Sequence, residues 1–314
     1  MKRILVLGGT GFVGRQVCEY LQRAGWSITV PTRRATNAAR VQHLPRVTVI
    51  EADVHHPATL ERLVQGHDAV VNLIAILHGN EAAFERTHVA LPRQLAQACV
   101  TQGVRRLVHI SALGADLAGP SRYQRSKARG EAVLTGAGLD LSILRPSVIF
   151  GAEDRFLNLF AGLQALFPVM PLAGAHARFQ PVWVGDVAKA VQVCLSRPVH
   201  DMDAHSEIIE CVGPDVLTLA DLVRLAGRHG SRQRPVIPLP MGIGRLQALM
   251  MELAPGEPLM SRDNLDSMRV DNVASGHHPD LHSLGIEPAS VYAVAPGYLG
   301  HQGGRSRLNR LRGS

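Results

Sequence analysis

Aromatic residues are scarce in this 314-residue chain: phenylalanine, tyrosine and tryptophan together make up 4%. Surfaces that stack nucleic-acid bases are built from such rings, and no recognition motif replaces them, so specific nucleic-acid binding is not expected. Cysteine is also sparse. Cys18, Cys99, Cys194 and Cys211 are scattered, with no C-x-x-C pair, which predicts reduced packing residues and no disulfide framework. Metal-ligand spacing is missing too: the adjacent pairs His55-His56 and His277-His278 have no companions, and no metal is expected. Long apolar runs are absent. The opening MKRILVLGG holds only Ile4, Leu5, Val6 and Leu7 before its glycines, too short for a secretory segment. Nothing approaches the roughly 20 apolar residues of a membrane span. Together these absences predict a cytoplasmic protein.

The formal charge of +7 is unevenly spread. Residues 301–314 hold Arg305, Arg307, Arg310 and Arg312 and no acid, so the rest of the chain is only mildly basic. That Arg-rich tail reads as disordered, with a lipid surface or an acidic partner as its secondary role.

What is present begins at once. Ile4 to Leu7 reads as a buried strand that runs into Gly8, Gly9, Gly11 and Gly14, after which Val13, Val17, Tyr20, Leu21 and Ala24 repeat at helical spacing. Strand, glycine turn and helix start, with a G-x-x-G-x-x-G pattern, form a dinucleotide-binding signature. Gly8 allows the tight turn, Gly11 the close approach of a pyrophosphate, and Gly14 the packing of helix on strand. The N–H groups of the new helix then face the anion, with Thr10, Phe12 and Val13 lining the turn. Strands are predicted at 3–7, 27–32, 47–51, 69–74, 106–110 and 140–145, and helices near 13–24, 57–65, 81–102 and 122–136. Gly25 and Gly103 stand just beyond helices, as C-terminal caps do. This alternation predicts an α/β fold, a Rossmann-type doubly wound parallel sheet with its ligand at the carboxyl ends of the strands. A nucleotide-binding domain is expected over 1–150, with 179–196 returning to it, and a smaller mixed substrate region over 151–300.

The end of the second strand is informative. No acid occurs from Ser27 to Ile50, and Arg33 and Arg34 follow Thr32. An acid there holds ribose hydroxyls, whereas basic residues accept a 2′-phosphate, so the pattern favours NADP(H) over NAD(H); a merely solvated loop is the alternative. Asp53 and Val54 end the third strand. Asp53 either accepts from the adenine amino group or caps the following helix. Ala75, after the fourth strand, is a further cofactor candidate.

Tyr123 and Lys127 lie four apart on a predicted helix and share a face. A neighbouring ammonium lowers a phenol's pKa, so Tyr123 is expected to exchange a proton with a carbonyl or alcohol oxygen while a nicotinamide moves hydride. Ser111, ending the fifth strand, is either the hydroxyl that orients the substrate or a turn serine.

The motifs GGTGFVG (8–14), ISALGA (110–115), YQRSKARGE (123–131), LRPSVIFG (144–151) and FQPVWVGDVAKAV (179–191) resemble the atypical and extended short-chain dehydrogenase/reductases. Within them, AAFERTHVALPRQLA (82–96) and RDNLDSMRVDNVASG (262–276) are similar to the nucleotide-binding accessory subunit of respiratory complex I and its stand-alone bacterial relatives. The resemblance implies that Lys127 also binds the nicotinamide ribose and that Pro146, Ser147 and Val148 border the carboxamide. It also puts His88 where relatives carry a relay asparagine; His88 is then a relay or a packing residue, as is Asn72. It implies an oxidoreductase acting on a small, apolar, quinone- or lipid-like substrate, or a non-catalytic NADPH-binding accessory protein, with peripheral membrane or respiratory-complex association. In the second half, Phe156, Leu157, Leu159, Phe160, Leu163 and Phe167 form an apolar helix face. Asp186 is expected to cap a helix over 187–195, residues 206–212 to form a strand, and Thr218 to start a helix that Gly227 stops. Residues 235–240 read as a proline-punctuated link, and 243–253 as a methionine-rich helix that packs in the core, walls a pocket or touches a membrane.

Overall fold

A computed structural model describes residues 2–198, 205–230, 232–253, 256 and 258–299. The Arg-rich segment 301–314 lies outside the described residues. The chain forms two compact units. The first comprises Met1–Pro146, Gly185–Cys211 and Ser275–Glu287; the second comprises Ser147–Val184, Val212–Ala274 and the chain from Pro288 onward.

In the first unit the elements run β1 (Arg3–Leu7), α1 (Phe12–Arg23), β2 (Ser27–Thr32), β3 (Val47–Glu51), α2 (Pro57–Val64), β4 (Ala69–Asn72), α3 (Glu81–Glu85), a π-helical turn (Arg86–Ala90), α4 (Leu91–Thr101), β5 (Arg106–Ile110), α5 (Arg122–Thr135) and β6 (Asp140–Pro146). The strands pair in parallel in the order β6-β5-β4-β1-β2-β3. The order in which strands are added therefore reverses between β1 and β4. Right-handed crossovers put helices on opposite faces either side of such a reversal, and the gap at the strand ends is where this fold binds ligands. Leu60 and Val64 of α2, Leu95 and Cys99 of α4 and Leu134 of α5 pack on Leu5, Val70, Leu107 and Leu141 of the sheet in one buried core. Gly25 and Gly103 have φ of +86° and +69°, the left-handed conformation expected past a helix end.

The sheet has a seventh strand that the sequence analysis assigned elsewhere. β11 (Ser206–Cys211) lies parallel to β6, with Ile209 opposite Leu144 and Glu210 opposite Arg145. Fully buried Ile209 and Cys211 complete an edge that β6 would otherwise expose. The first unit thus takes back 185–211 and 275–287, not 179–196, and gives up 147–150.

The second unit holds the short strands β7 (Ile149–Phe150), β8 (Met170–Ala173), β9 (Arg178–Phe179), β10 (Val182–Trp183), β12 (Leu217–Thr218) and β13 (Val236–Leu239). It also holds α6 (Leu157–Leu166), α8 (Leu219–His229), α9 (Met241–Leu253) and α10 (Arg262–Ser267), while α7 (Val184–Ser196) leads back into the first unit. Four expectations change here. Asp186 sits in the first turn of α7 instead of capping it. Gly227 lies inside α8, which Gly230 ends; a Cβ on Gly227 would stand 2.1 Å from the Gln164 side-chain oxygen, so this glycine is a packing residue. Residues 236–239 are a strand parallel to β8. Finally, α9 turns small residues inward and large ones outward. Gly244 and Ala248 are buried, and a Cβ on Gly244 would lie 2.3 Å from that of Ala173. Ile243, Leu246, Met250 and Leu253 are each more than half exposed, so core packing fails for them. Phe156, Phe160 and Phe179 pack against the core of this unit.

Candidate functional site

The glycine turn after β1 is fixed by backbone crowding. Gly8 has φ +82°, and its carbonyl accepts the Gly11 N–H at 3.0 Å. A Cβ on Gly14 would stand 2.2 Å from that carbonyl, and one on Gly9 2.9 Å from both methyls of Val30. Each glycine therefore has a separate steric reason. Gly11 is the cap residue of α1 and has no side chain to fill the cap, and the first turn carries no acid. Helix geometry leaves the N–H groups of Phe12, Val13 and Gly14 without an intrahelical acceptor, since the first such bond runs from Arg15 to Gly11. Thr10, Phe12 and Val13 are all partly exposed around this turn. The cradle fits a pyrophosphate.

Arg33 and Arg34 are exposed beyond β2. The buried Thr32 hydroxyl donates to the Arg34 carbonyl at 3.1 Å, and Ala35 N–H donates to the Glu51 carboxylate at 3.0 Å, which closes the loop between β2 and β3. Exposed Asp53 accepts the His55 N–H at 3.0 Å, a local turn cap. The Val54 side chain packs in the core with Leu60 and Leu63, so only its backbone faces the strand ends. Ala75 is exposed after β4. His55 is held below its ordinary pKa by burial first; Asp53 opposes that, and Arg86 and Arg33 reinforce it. Arg86, on the π-helical turn, is a cation at this end of the sheet that no sequence signal indicated.

A capping box between Ser121 and Gln124 starts α5, which puts Tyr123 in its first turn and Lys127 one turn on. Lys127 is buried and its Nζ donates to the Ile110 carbonyl at 3.0 Å. That bond fastens α5 over the end of β5, beside Ser111. The Ser111 hydroxyl is buried and has no hydrogen-bond partner among the described residues. Burial lowers the Lys127 pKa to about 8, with the Glu131 carboxylate opposing the shift. Glu131 is itself gripped by Arg145 through bonds of 2.9 and 2.5 Å. Glu210, opposite Arg145, accepts both the N–H and the hydroxyl of Ser275 at 2.8 Å. Tyr123 corrects the sequence expectation. Burial raises its phenol above the ordinary value. The Tyr123 ring stands edge-on to Phe84 and His88, at 6.3 and 5.6 Å between centroids.

Both relay candidates are hydrogen-bonded. Asn72 accepts the Ile74 N–H at 3.2 Å, and its amide meets His109 Nδ1 at 3.1 Å. His88 Nε2 accepts the Ile76 N–H at 3.1 Å, and Nδ1 lies 2.8 Å from Ser126 Oγ. Burial first, then the Lys127 charge and the neighbouring His109, push His88 down to about 2; burial and Lys127 push His109 down to about 3. Both imidazoles are neutral.

Pro146 ends β6, its carbonyl accepting the Leu113 N–H at 2.9 Å. Ser147 and Val148 belong to the second unit. The Ser147 hydroxyl is taken by the Asn272 side chain at 2.6 Å, and the Val148 carbonyl accepts the Val182 N–H at 3.0 Å, so both have structural work within that unit.

Residues 8–155 match the NAD(P)H-binding family model. The mouse mitochondrial NADH dehydrogenase [ubiquinone] 1 alpha subcomplex subunit 9 is 32% identical over 295 residues, spanning 91% of this chain and 76% of its own length. A ceramide reductase of Caulobacter vibrioides is 28% identical over 246 residues, 70% of this chain and 77% of its own. A dTDP-glucose 4,6-dehydratase from Streptomyces venezuelae, solved with NAD bound, shares the fold with a TM-score of 0.72 at 20% identity, covering 97% of this chain and 98% of that one. The seven-stranded parallel sheet, the glycine cradle and these likenesses agree: the chain belongs to the atypical short-chain dehydrogenase/reductases, in the family of the complex I alpha subcomplex subunit 9.

Proposed function

We propose that the chain binds NADP(H) and works as an oxidoreductase, moving hydride to or from a carbonyl or alcohol on an apolar, quinone- or lipid-like molecule. One observation carries the reading: buried Lys127 is tied to the residue preceding Ser111, whose buried hydroxyl has no partner among the described residues. A buried polar group left unpaired costs about 1–3 kcal/mol, which a substrate oxygen accepting from Ser111 would recover. The bound nicotinamide supplies or takes the hydride. Tyr123 exchanges the proton at that oxygen, Ser111 orients it, and Lys127 stands behind Tyr123 as the cation that favours the phenolate. The phosphates rest on residues 8–14, Arg33 and Arg34 take the 2′-phosphate, and Asp53, Val54, Ala75, Pro146 and Val148 border the nucleotide. The relative named ceramide reductase supports a lipid-like substrate.

The test has two stages. Arg33→Ala with Arg34→Ala is expected to weaken NADPH binding at least tenfold and leave NADH binding unchanged; equal wild-type affinity for the two nucleotides removes the phosphate assignment. Tyr123→Phe is expected to cut NADPH oxidation by quinones, aldehydes or long-chain ketones by roughly a hundredfold or more. Unchanged turnover removes the tyrosine from the chemistry.

A second reading, an NADPH-holding accessory or assembly protein without turnover, is favoured by the Tyr123 phenol, which burial raises instead of lowering, and by the exposed Ile243, Leu246, Met250 and Leu253 of α9. It predicts bound NADPH, no oxidation of any carbonyl, and recovery of the protein with respiratory-complex or inner-membrane fractions; the oxidoreductase reading predicts a cytoplasmic protein.

A further inference from the structure

Both ring nitrogens of His88 are spent, and they serve different elements. Nε2 accepts the Ile76 N–H from the loop after β4, so the proton of the neutral ring is on Nδ1, which donates to Ser126 Oγ on α5. The Ser126 hydroxyl passes its own hydrogen to the Tyr123 carbonyl at 2.8 Å. Donors and acceptors thus alternate without a gap from Ile76 N–H through His88 and Ser126 to the Tyr123 backbone. The same imidazole stands edge-on to the Tyr123 ring, at 79°, and 5.5 Å from that of Phe84.

The backbone behind His88 is shaped for this. Pro92 has no N–H to give the His88 carbonyl four residues earlier, and its ring displaces that carbonyl. The helix answers with the π-helical turn Arg86–Ala90, in which Leu91 N–H reaches back to Arg86. The released carbonyl lies against α5 at Gly130, where a Cβ would stand 2.0 Å from it. Proline frees the carbonyl, glycine admits it, and the side chain is left to span two elements. Lys127, His109 and Tyr123 are the titratable groups that face the ring, and the first two oppose its protonation.

We propose that His88 is a positioning residue, a rigid bridge that couples the loop 73–80 to the turn of α5 carrying Tyr123. This rests on the reading of that loop as bordering the nucleotide and of Tyr123 as the proton-exchanging group. Movement of the loop on nucleotide binding is passed through the Ile76 N–H to the ring and to the Tyr123 backbone, so nucleotide occupancy sets where the phenol sits. The role is mechanical: the ring holds its proton on Nδ1 and does not relay one.

The full chain tests this in two arms. In the first, histidine-15N NMR without nucleotide, with His88 assigned by its loss in His88→Gln, is expected to show an Nδ1–H neutral ring that does not titrate between pH 5 and 9. An Nε2–H ring, or a titration in that range, overturns the bridge. In the second, NADPH is added while tyrosine-13C resonances are followed, Tyr123 being assigned with Tyr123→Phe. The wild type is expected to shift its Tyr123 signal on binding. Ser126→Ala, which cuts the link without opening the core, is expected to at least halve that shift while NADPH affinity changes less than threefold. A purely structural His88 would leave the shift equal in the two proteins, and that result overturns the coupling. NADPH that fails to bind the wild type overturns the functional reading, and the proposal with it; NADPH that binds with equal Tyr123 shifts overturns the proposal alone.

Discussion

The glycine turn and the face of α5 are built on opposite principles. Between Gly8 and Gly14 the design is in the backbone: missing side chains let the chain turn, and helix geometry supplies N–H groups that any residue but proline provides. Around Tyr123 and Lys127 the site depends on groups gathered from several elements: the Ile110 carbonyl, the side chains of Ser126 and Glu131 on α5 itself, and those of His88, Arg145 and Glu210 from elsewhere in the chain. The first kind of site tolerates changes around it and fails when a methyl is added. The second fails when a partner is removed, because what remains is a buried charge.

Four measurements would break or sharpen that contrast. Arg145→Ala leaves the buried Glu131 carboxylate without its cation, and is expected to cost about 3–5 kcal/mol in urea unfolding. A loss below about 1 kcal/mol would mean that the pair is in effect solvated. Gly14→Ala pushes a methyl into the Gly8 carbonyl and is expected to cost about 3 kcal/mol and abolish NADPH binding, read by thermal melting and fluorescence titration. Retained binding would show that the turn can relax.

Lys127 gives a pH signature. Its folded pKa, about 8, lies below the unfolded value of 10.5. Between those values the unfolded chain binds more protons, so this group makes stability rise with pH from about 8 to 10.5, and its burial penalty is fully present below 8. Cys18 and Cys99, raised by burial to about 12, act oppositely above pH 9 in every variant. The informative quantity is therefore the difference between wild type and Lys127→Met, which should change in the wild type's favour over that window when followed by unfolding at pH 8 and pH 10. The smallest effect belongs to Ser111→Ala. Its hydroxyl has no partner to lose among the described residues, so stability should hold or rise, by about 1–3 kcal/mol at most, while turnover of any carbonyl substrate falls. A large destabilisation would show that Ser111 is structural.

Much of the first unit was legible in the sequence because its signals are local. The apolar run Ile4–Leu7, the glycine spacing and the helical repeats give β1 and α1 to within a residue, and the helix expected near 122–136 is α5. The single helix expected over 81–102 is interrupted by the π-helical turn at Arg86–Ala90, and the consequence for His88 needed the facing Gly130. In the second unit the signals misled. Gly227 looks like a helix stop and is a contact with Gln164, while the large residues of α9 point outward because Ala173 leaves room only for Gly244.

By itself, then, the sequence determined the parallel α/β sheet, the pyrophosphate cradle and the pairing of Tyr123 with Lys127 on one helical turn, since each depends on residues within a few positions of one another. Only the tertiary structure decided that β11 closes the sheet, that His88 and Asn72 are both hydrogen-bonded, and that burial works against the ionisation of the Tyr123 phenol. Spacing places groups side by side; whether they hold charge is set by how much water the fold removes from them, and that depends on the rest of the chain.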